Sequence, residues 1–340
     1  MFHGSLSDSF GRRRILLVSL VVYSLTAVAG AAAPSFEWLL TFRVIQGLAA
    51  GAGMIVSRAI IRDRFAGSEA QRFMAQVTMV GGLGPAIAPI MGGWLHHFFG
   101  WRGPFVFLGL LGTCLLWACH RALPETLHDH KRQSFQPKHL ARAYWETIRN
   151  PAFLGVSLAL ALGGGGFLLY VATAPDVALN ILGLSETQFG WLFAPIVAGL
   201  MMGAALTSHK ATSLSLSRWA AVGYASMAVG ASLNLIYCLT CSPRLPWAVL
   251  PLGVYTFGFA LVAPAATIQA LDIFPQRKGL ASSLQGFFQT LVFAVVSSGV
   301  ARLVYRSGLK HAVGMAAMLV MSWMAYRFYQ MRIAARLAHT

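Results

Sequence analysis

Ten apolar stretches of about 20 residues each, at 15–33, 36–57, 74–95, 101–122, 152–174, 188–208, 217–239, 247–271, 281–303 and 311–328, dominate this chain. Each is long enough to cross the hydrocarbon of a bilayer as a helix. A helix is the form in which one segment satisfies all its own backbone polar groups away from water. With 57% hydrophobic and 11% charged residues among 340, too little polar surface remains to solvate a water-soluble globule of this size. The expected fold class is an all-α polytopic membrane protein.

One long polar connection interrupts the series. Residues 123–150 carry Arg132, Lys138, Arg142 and Arg149 and divide the spans four and six. This predicts an N-terminal helical half at 1–122, a connection at 123–150 and a C-terminal half at 151–340. Within the connection, Leu140, Tyr144, Trp145 and Ile148 recur at helical spacing between cations, the pattern of an amphipathic helix on a membrane surface or of a solvated linker. The opening turn, with Arg12, Arg13 and Arg14 set against the first span, marks an inside loop. Alternating from there places twenty of the 26 Lys and Arg inside and five outside, a strong positive-inside bias. Both ends of the chain are then expected on the cytoplasmic side. The one local violation is the outside turn 302–310. Because the +16 charge is spread over these loops rather than gathered on a soluble face, nucleic acid is not an expected partner.

Few residues inside the spans carry chemistry. Arg43, about 10 Å from the outer end of its span at helical rise, costs on the order of 3 kcal/mol or more there unless it meets a partner or water. Gln46 and Gly47 follow it on the same helix. The third span holds Gly84, Pro85, Ala88, Pro89, Gly92 and Gly93. The small residues at spacing four favour close packing, and each proline deletes a helix hydrogen bond, so a bend is expected. In the second half Tyr170, Asn234, Gln269, Gln285 and Gln289 are polar groups within spans, suited to lining a wet cavity or bonding helix to helix. The run Gly163 to Gly166 predicts a soft segment. Cys238 and Cys241 form a C-x-x-C without zinc-ligand companions, and the histidines lack a ligand set at metal spacing, so neither metal nor cofactor is expected. Nothing points to enzymatic chemistry. A faint repeat links Ile61-Arg62-Asp63-Arg64-Phe65 with Leu271-Asp272-Ile273-Phe274-Pro275 and suggests two related halves.

Several of these stretches resemble signatures of the major facilitator superfamily. Gly4, Leu6, Asp8, Gly11, Arg12 and Arg13 match its G-x-L-x-D-x-x-G-R-R/K loop, and Arg43-Val44-Ile45-Gln46-Gly47 matches its R-x-x-Q-G. Gly84 to Gly93 is similar to the antiporter signature G-P-x-x-x-P-x-x-G-G. With Leu123 to Leu127, Gly183 to Ala194, and Tyr255 to Leu261 running on to Ser283, the resemblance is to drug/proton antiporters of the bicyclomycin-resistance (Bcr/CflA) branch. It implies proton-coupled efflux of small, largely apolar compounds by rocking of two halves, in a monomer whose partners are the substrate, protons and lipid. It further implies a cytoplasmic latch of Gly4, Asp8, Gly11, Arg12, Arg13 and Arg62, and proton transfer or substrate binding at Arg43, Gln46 and Gly47. Twelve helices are expected of this family, with a coupling acid in the first, so the ten spans suggest two more upstream of Met1. A truncated, non-transporting remnant is the alternative.

Overall fold

The computed structural model of the protein describes residues 3–65, 69, 73, 88, 91–127, 137–185, 188, 190–210 and 214–337. These are almost wholly helical and divide into two compact units, Met1–Pro137 and Lys138–Thr340. Among the described residues eight helices are long and apolar enough to cross a membrane, two fewer than the hydropathy windows give. One difference is the window 74–95, most of which lies outside the described residues. The other is the last window, which forms part of the 30-residue helix Gly308–Leu337.

Unit 1 comprises α1 (His3–Phe10), α2 (Arg12–Ala31), α3 (Phe36–Arg64), α4 (residues 91–99) and α5 (Gly103–Ala122). The opening segment, expected as a turn, is helical on both sides of a single break. Gly11, at φ 96°, ends α1 and starts α2 in a conformation that only glycine adopts without strain. Helix α2 packs on α3 through Leu16, Ala52 and Val56, and on α5 through glycines. A Cβ added at Gly109 would fall 2.8 Å from Val28 Cγ2, and one at Gly112 would fall 2.5 Å from Ser24 Oγ. The two helices therefore approach more closely than larger residues permit.

Unit 2 opens with α6 (Pro137–Ile148), which confirms a helix in the polar connection, and α7 (Pro151–Ala172). A π-helical turn (Asp176–Ile181) leads to α8 (Gly190–His209), α9 (Leu216–Thr240) and α10 (Leu250–Asp272). After a short 3-10 turn follow α11 (Lys278–Val295), a second π-helical turn (Val296–Val300), α12 (Ala301–Val304) and α13 (Gly308–Leu337). Helix α7 is the centre of this unit, packed against α10, α11 and α13. Gly163 to Gly166 are all buried there, so the run expected to be soft is a packing face. Tyr255 Oη donates to the Gly163 carbonyl at 3.0 Å, and Ser322 Oγ to the Ala159 carbonyl at 2.6 Å. Tyr224 Oη reaches Ser322 Oγ at 2.9 Å, which ties α9 to α13 and α13 to α7.

The exterior has the opposite character to that of a soluble protein. Leu25, Phe36, Leu48, Leu110, Trp117, Met202, Leu239 and Leu303 are all more than half exposed, and similar side chains cover both units. In water such a surface would aggregate; against lipid tails it is solvated.

Candidate functional site

The densest polar cluster of unit 1 lies at the Gly11 break. A helix begins with backbone N–H groups that have no partner inside the helix. Residue 11 has no side chain to cap α2, and the caps come instead from Glu125, in the extended segment after α5. Glu125 Oε1 accepts from the N–H of Arg12 at 2.9 Å, of Thr126 at 3.0 Å and of Leu127 at 3.1 Å, while Oε2 accepts from Arg13 N–H at 3.2 Å. One carboxylate thus takes four backbone donors at the positive end of a helix, where negative charge is favoured. A Cβ at Gly11 would sit 2.5 Å from Glu125 Oε2, so glycine is required there twice over: for the backbone angle and for the room.

The arginine side chains extend the cluster. Arg12 is buried, with Nε donating to Asp63 Oδ2 at 3.0 Å and Nη1 to Ser7 Oγ at 2.6 Å. Thr126 Oγ1 donates to the same Asp63 oxygen at 3.4 Å. Arg13 Nη2 donates to the His120 carbonyl at 2.9 Å, in the last turn of α5, where a cation meets the negative helix end. Ser7 of α1, Asp63 of α3, His120 of α5 and Glu125 beyond it are thereby drawn onto the start of α2. Of the residues expected here, Gly11, Arg12 and Arg13 occupy the centre. Gly4, Asp8 and Arg62 lie on helices, but their side chains are outside the described residues. The sequence reading placed Asp63 in a repeat and Glu125 in a weak motif, and it linked neither to Arg12. The available signal was that both acids sit at helix ends on the side of the basic loop.

Arg43 lies on α3 with Nη1 donating to Gln46 Oε1 at 2.8 Å and its guanidinium carbon 5.3 Å from the Phe105 ring centroid. The bond to Gln46 follows from their spacing of three on one helix face; the aromatic partner was not visible in sequence. Gln46 is buried, and its Nε2 has no hydrogen-bond partner among the described residues. Among the described residues nothing lies within 4 Å of a Cβ added at Gly47. Of the third-span residues, Gly92 and Gly93 lie on α4, while Gly84, Pro85 and Pro89 fall outside the described residues. Within described helices the prolines that remove a ladder bond are Pro195 of α8 and Pro264 of α10.

In unit 2 the polar residues expected as cavity lining separate. Tyr170 is buried, accepts from Asn234 Nδ2 at 2.5 Å, and lines a cavity of about 120 Å³ with Asn234, Tyr237, Cys238, Cys241 and His311. Gln269 accepts from Tyr326 Oη at 3.2 Å. Gln285 is buried with Nε2 unpartnered among the described residues, and Gln289, one turn on, is half-buried on the same face of α11. The cavity is smaller than the roughly 300–1,000 Å³ typical of drug-sized sites, so it is not a multidrug pocket. Cys238 and Cys241 are free thiols. Beyond the spans, Glu146 of α6 accepts from Arg277 Nη1 at 3.0 Å and Arg142 Nε at 3.2 Å; the Arg277 bond, then Arg142, holds its carboxyl below the ordinary value.

The sequence profile of the Major Facilitator Superfamily matches residues 1–297. The chain is 28% identical over 334 residues to the bicyclomycin resistance protein homolog of Haemophilus influenzae, covering 98% of this chain and 83% of that protein. It is 26% identical over 292 residues to the multidrug transporter MdfA of Escherichia coli O6:H1, covering 86% and 71% respectively. Its fold is similar to that of the D-xylose-proton symporter, with a TM-score of 0.71, 15% identity and 96% of this chain on 83% of that one. It is likewise similar to the human organic anion transporter MFSD10, with a TM-score of 0.64, 21% identity and 96% on 79%. With most of its length matched and the helical fold shared, the chain belongs to the Major Facilitator Superfamily, a family of membrane transporters rather than enzymes.

Proposed function

We propose that this chain exports small, largely apolar compounds across the bacterial inner membrane in exchange for protons, alternating between two facing states. The observation that carries the reading is the cluster on Gly11, where Glu125 and Asp63 grip the start of α2. A carboxylate held only by hydrogen bonds and charge is a reversible tie between segments far apart in sequence, as a two-state transporter requires. Gly11, Arg12, Arg13, Asp63 and Glu125 form the described part of a cytoplasmic latch, to which Gly4, Asp8 and Arg62 belong by motif. A ligand or proton drives the exchange only through different affinities for the two states. The names of the two relatives, a bicyclomycin resistance protein and a multidrug transporter, support drugs as the cargo.

Proton coupling is supported by Arg43, a cation within a span whose described partners are Gln46 and Phe105. Gly84, Pro85, Pro89, Gly92 and Gly93 belong to the antiporter signature by motif, and Gln269, Gln285 and Gln289 supply polar groups toward the transport path. The protein works as a monomer with both described ends in the cytoplasm.

The test is growth protection of a drug-sensitive bacterial host against a panel of antibiotics, with and without a proton uncoupler. Protection that disappears under the uncoupler is expected. Protection that persists unchanged under it would remove proton exchange, and none against any compound would remove drug export.

A further inference from the structure

A second buried polar site lies at the end of unit 2 where α7 meets its π-helical turn. His311 of α13 is fully buried. Its Nδ1 lies 2.9 Å from the Ser307 carbonyl oxygen and its Nε2 2.8 Å from Thr173 Oγ1. A carbonyl oxygen only accepts, so Nδ1 carries a proton. Thr173 has one hydroxyl hydrogen, and its Oγ1 also lies 2.7 Å from the Leu169 carbonyl oxygen. With that hydrogen on Leu169, Nε2 faces a lone pair and an imidazolium, with a proton on each nitrogen, satisfies both contacts.

The neutral ring is reached by one small movement. If the Thr173 hydroxyl turns to donate to a bare Nε2, the Leu169 carbonyl keeps the Thr173 backbone N–H at 3.1 Å, and no acceptor is orphaned. The carboxylate of Asp176, itself 1% exposed, binds the turn that leads into α13. The other titratable groups on the site are Tyr170 of α7, with its ring centroid 5.3 Å from the imidazole, and Tyr237, Cys238 and Cys241, which line the same cavity from α9 and its C-terminal end. From the turn and α13 itself come Arg306 and Lys310, both exposed to solvent. Asp176 and His311 hold the same turn between α12 and α13. Asp176 Oδ2 accepts the Arg306 N–H at 2.7 Å, His311 donates to Ser307, and Arg306 sits at φ 57°, which a non-glycine residue rarely adopts.

We propose that His311 is a proton-binding site of unit 2. It takes up and releases a proton within roughly pH 5 to 8, with the Thr173 hydroxyl as its rotor and the turn at residues 305–307 as the element that feels the change. As a site serving exchange it rests on the function proposed above; as a titrating histidine it stands apart from it. Nitrogen-15 NMR of histidine-labelled full chain in lipid nanodiscs reads the state of both ring nitrogens, with the signal assigned by its loss in His311→Asn. The expected result is a doubly protonated ring at low pH that loses the Nε2 proton as pH rises. Asp176→Asn lowers the proton affinity, through loss of the opposite charge. Thr173→Val lowers it too, by removing the acceptor, and Thr173→Ser leaves it unchanged. Should His311→Asn fail to fold, the signal displaced by Thr173→Val identifies the residue.

A ring that stays in one protonation state across the range, or a midpoint indifferent to both Asp176→Asn and Thr173→Val, overturns the site. Efflux of ethidium driven by a proton gradient, measured on the same preparation in vesicles, separates the two readings. A titrating His311 in a chain whose efflux ignores the gradient ends the exchange reading and keeps the site. A silent His311 in a gradient-driven exporter ends the site and keeps the exchange.

Discussion

Two long helices, α2 of unit 1 and α7 of unit 2, begin in opposite ways. At α7 the cap is local: Asn150 Oδ1 accepts from the N–H of Ala152 and of Phe153, both at 3.1 Å, and Pro151 fills the first helical position. At α2 the cap comes from Glu125, 113 residues away from Arg12, and the residue in the cap position is a glycine with no side chain to offer. A local cap holds wherever the helix goes. A distant one holds only while the end of α5 stays beside the start of α2, so it registers conformation, and its loss can change the balance between states as well as stability.

The largest expected effect is at Gly11. Alanine there adds strain of about 1–3 kcal/mol for a left-handed non-glycine and drives a methyl into the Glu125 carboxylate, so a loss of roughly 3 kcal/mol in unfolding stability in detergent is predicted. Glu125→Gln comes next. It removes the charge at the helix start and presents an amide N–H₂ where a second acceptor is needed, for a loss of about 2 kcal/mol. Because both changes act on the same contacts, the double substitution should cost clearly less than the sum. Additive losses would show that Gly11 and Glu125 do not share one structure. Asn150→Ala removes only a local cap and should cost about 1 kcal/mol, with dye export per folded molecule unchanged; a large fall in export would erase the contrast between the two caps.

The smallest effect is expected at Glu146. Its carboxyl is held below the ordinary value of 4.5, chiefly by the Arg277 bond. A depressed folded value contributes stability that is fully present above the unfolded value and is lost as pH falls through the folded one. Protection of α6 against hydrogen exchange, taken relative to the intrinsic rate at each pH, should therefore be flat from neutral pH down to about 4.5 and fall only below it, and Glu146→Gln should abolish that fall. The pair is solvent-exposed, so added salt should weaken it.

Much of the fold was legible because its cause is local. Hydropathy windows mark α2, α3, α5 and α7 to α11 within a few residues, since a span must be apolar along its whole length. Helix α1 was missed: Gly4, Ser5, Ser7 and Asp8 give no apolar period, and the helix is held by packing on α2 and α3. The site was legible in its glycine and arginines and hidden in its acids. Nothing local connects Glu125 or Asp63 to Arg12; they meet because α2 packs against both α3 and α5. His311 was hidden for the same reason, with Thr173 138 residues away. The cation-rich turn at 302–310, the one exception to the loop-charge pattern expected from sequence, holds the buried Asp176 carboxylate on its backbone as a counter-charge.

The central claim is that outward movement of drug is driven by inward movement of protons and depends on the Glu125 tie. Everted membrane vesicles containing the chain, energised to an acidic interior, test it directly through the pH change on addition of ethidium. The account predicts proton release from the lumen on adding the drug, absent in vesicles lacking the protein and strongly reduced by Glu125→Gln at equal protein. Ethidium uptake that proceeds with no proton movement, or equally in the variant and the parent, would contradict it.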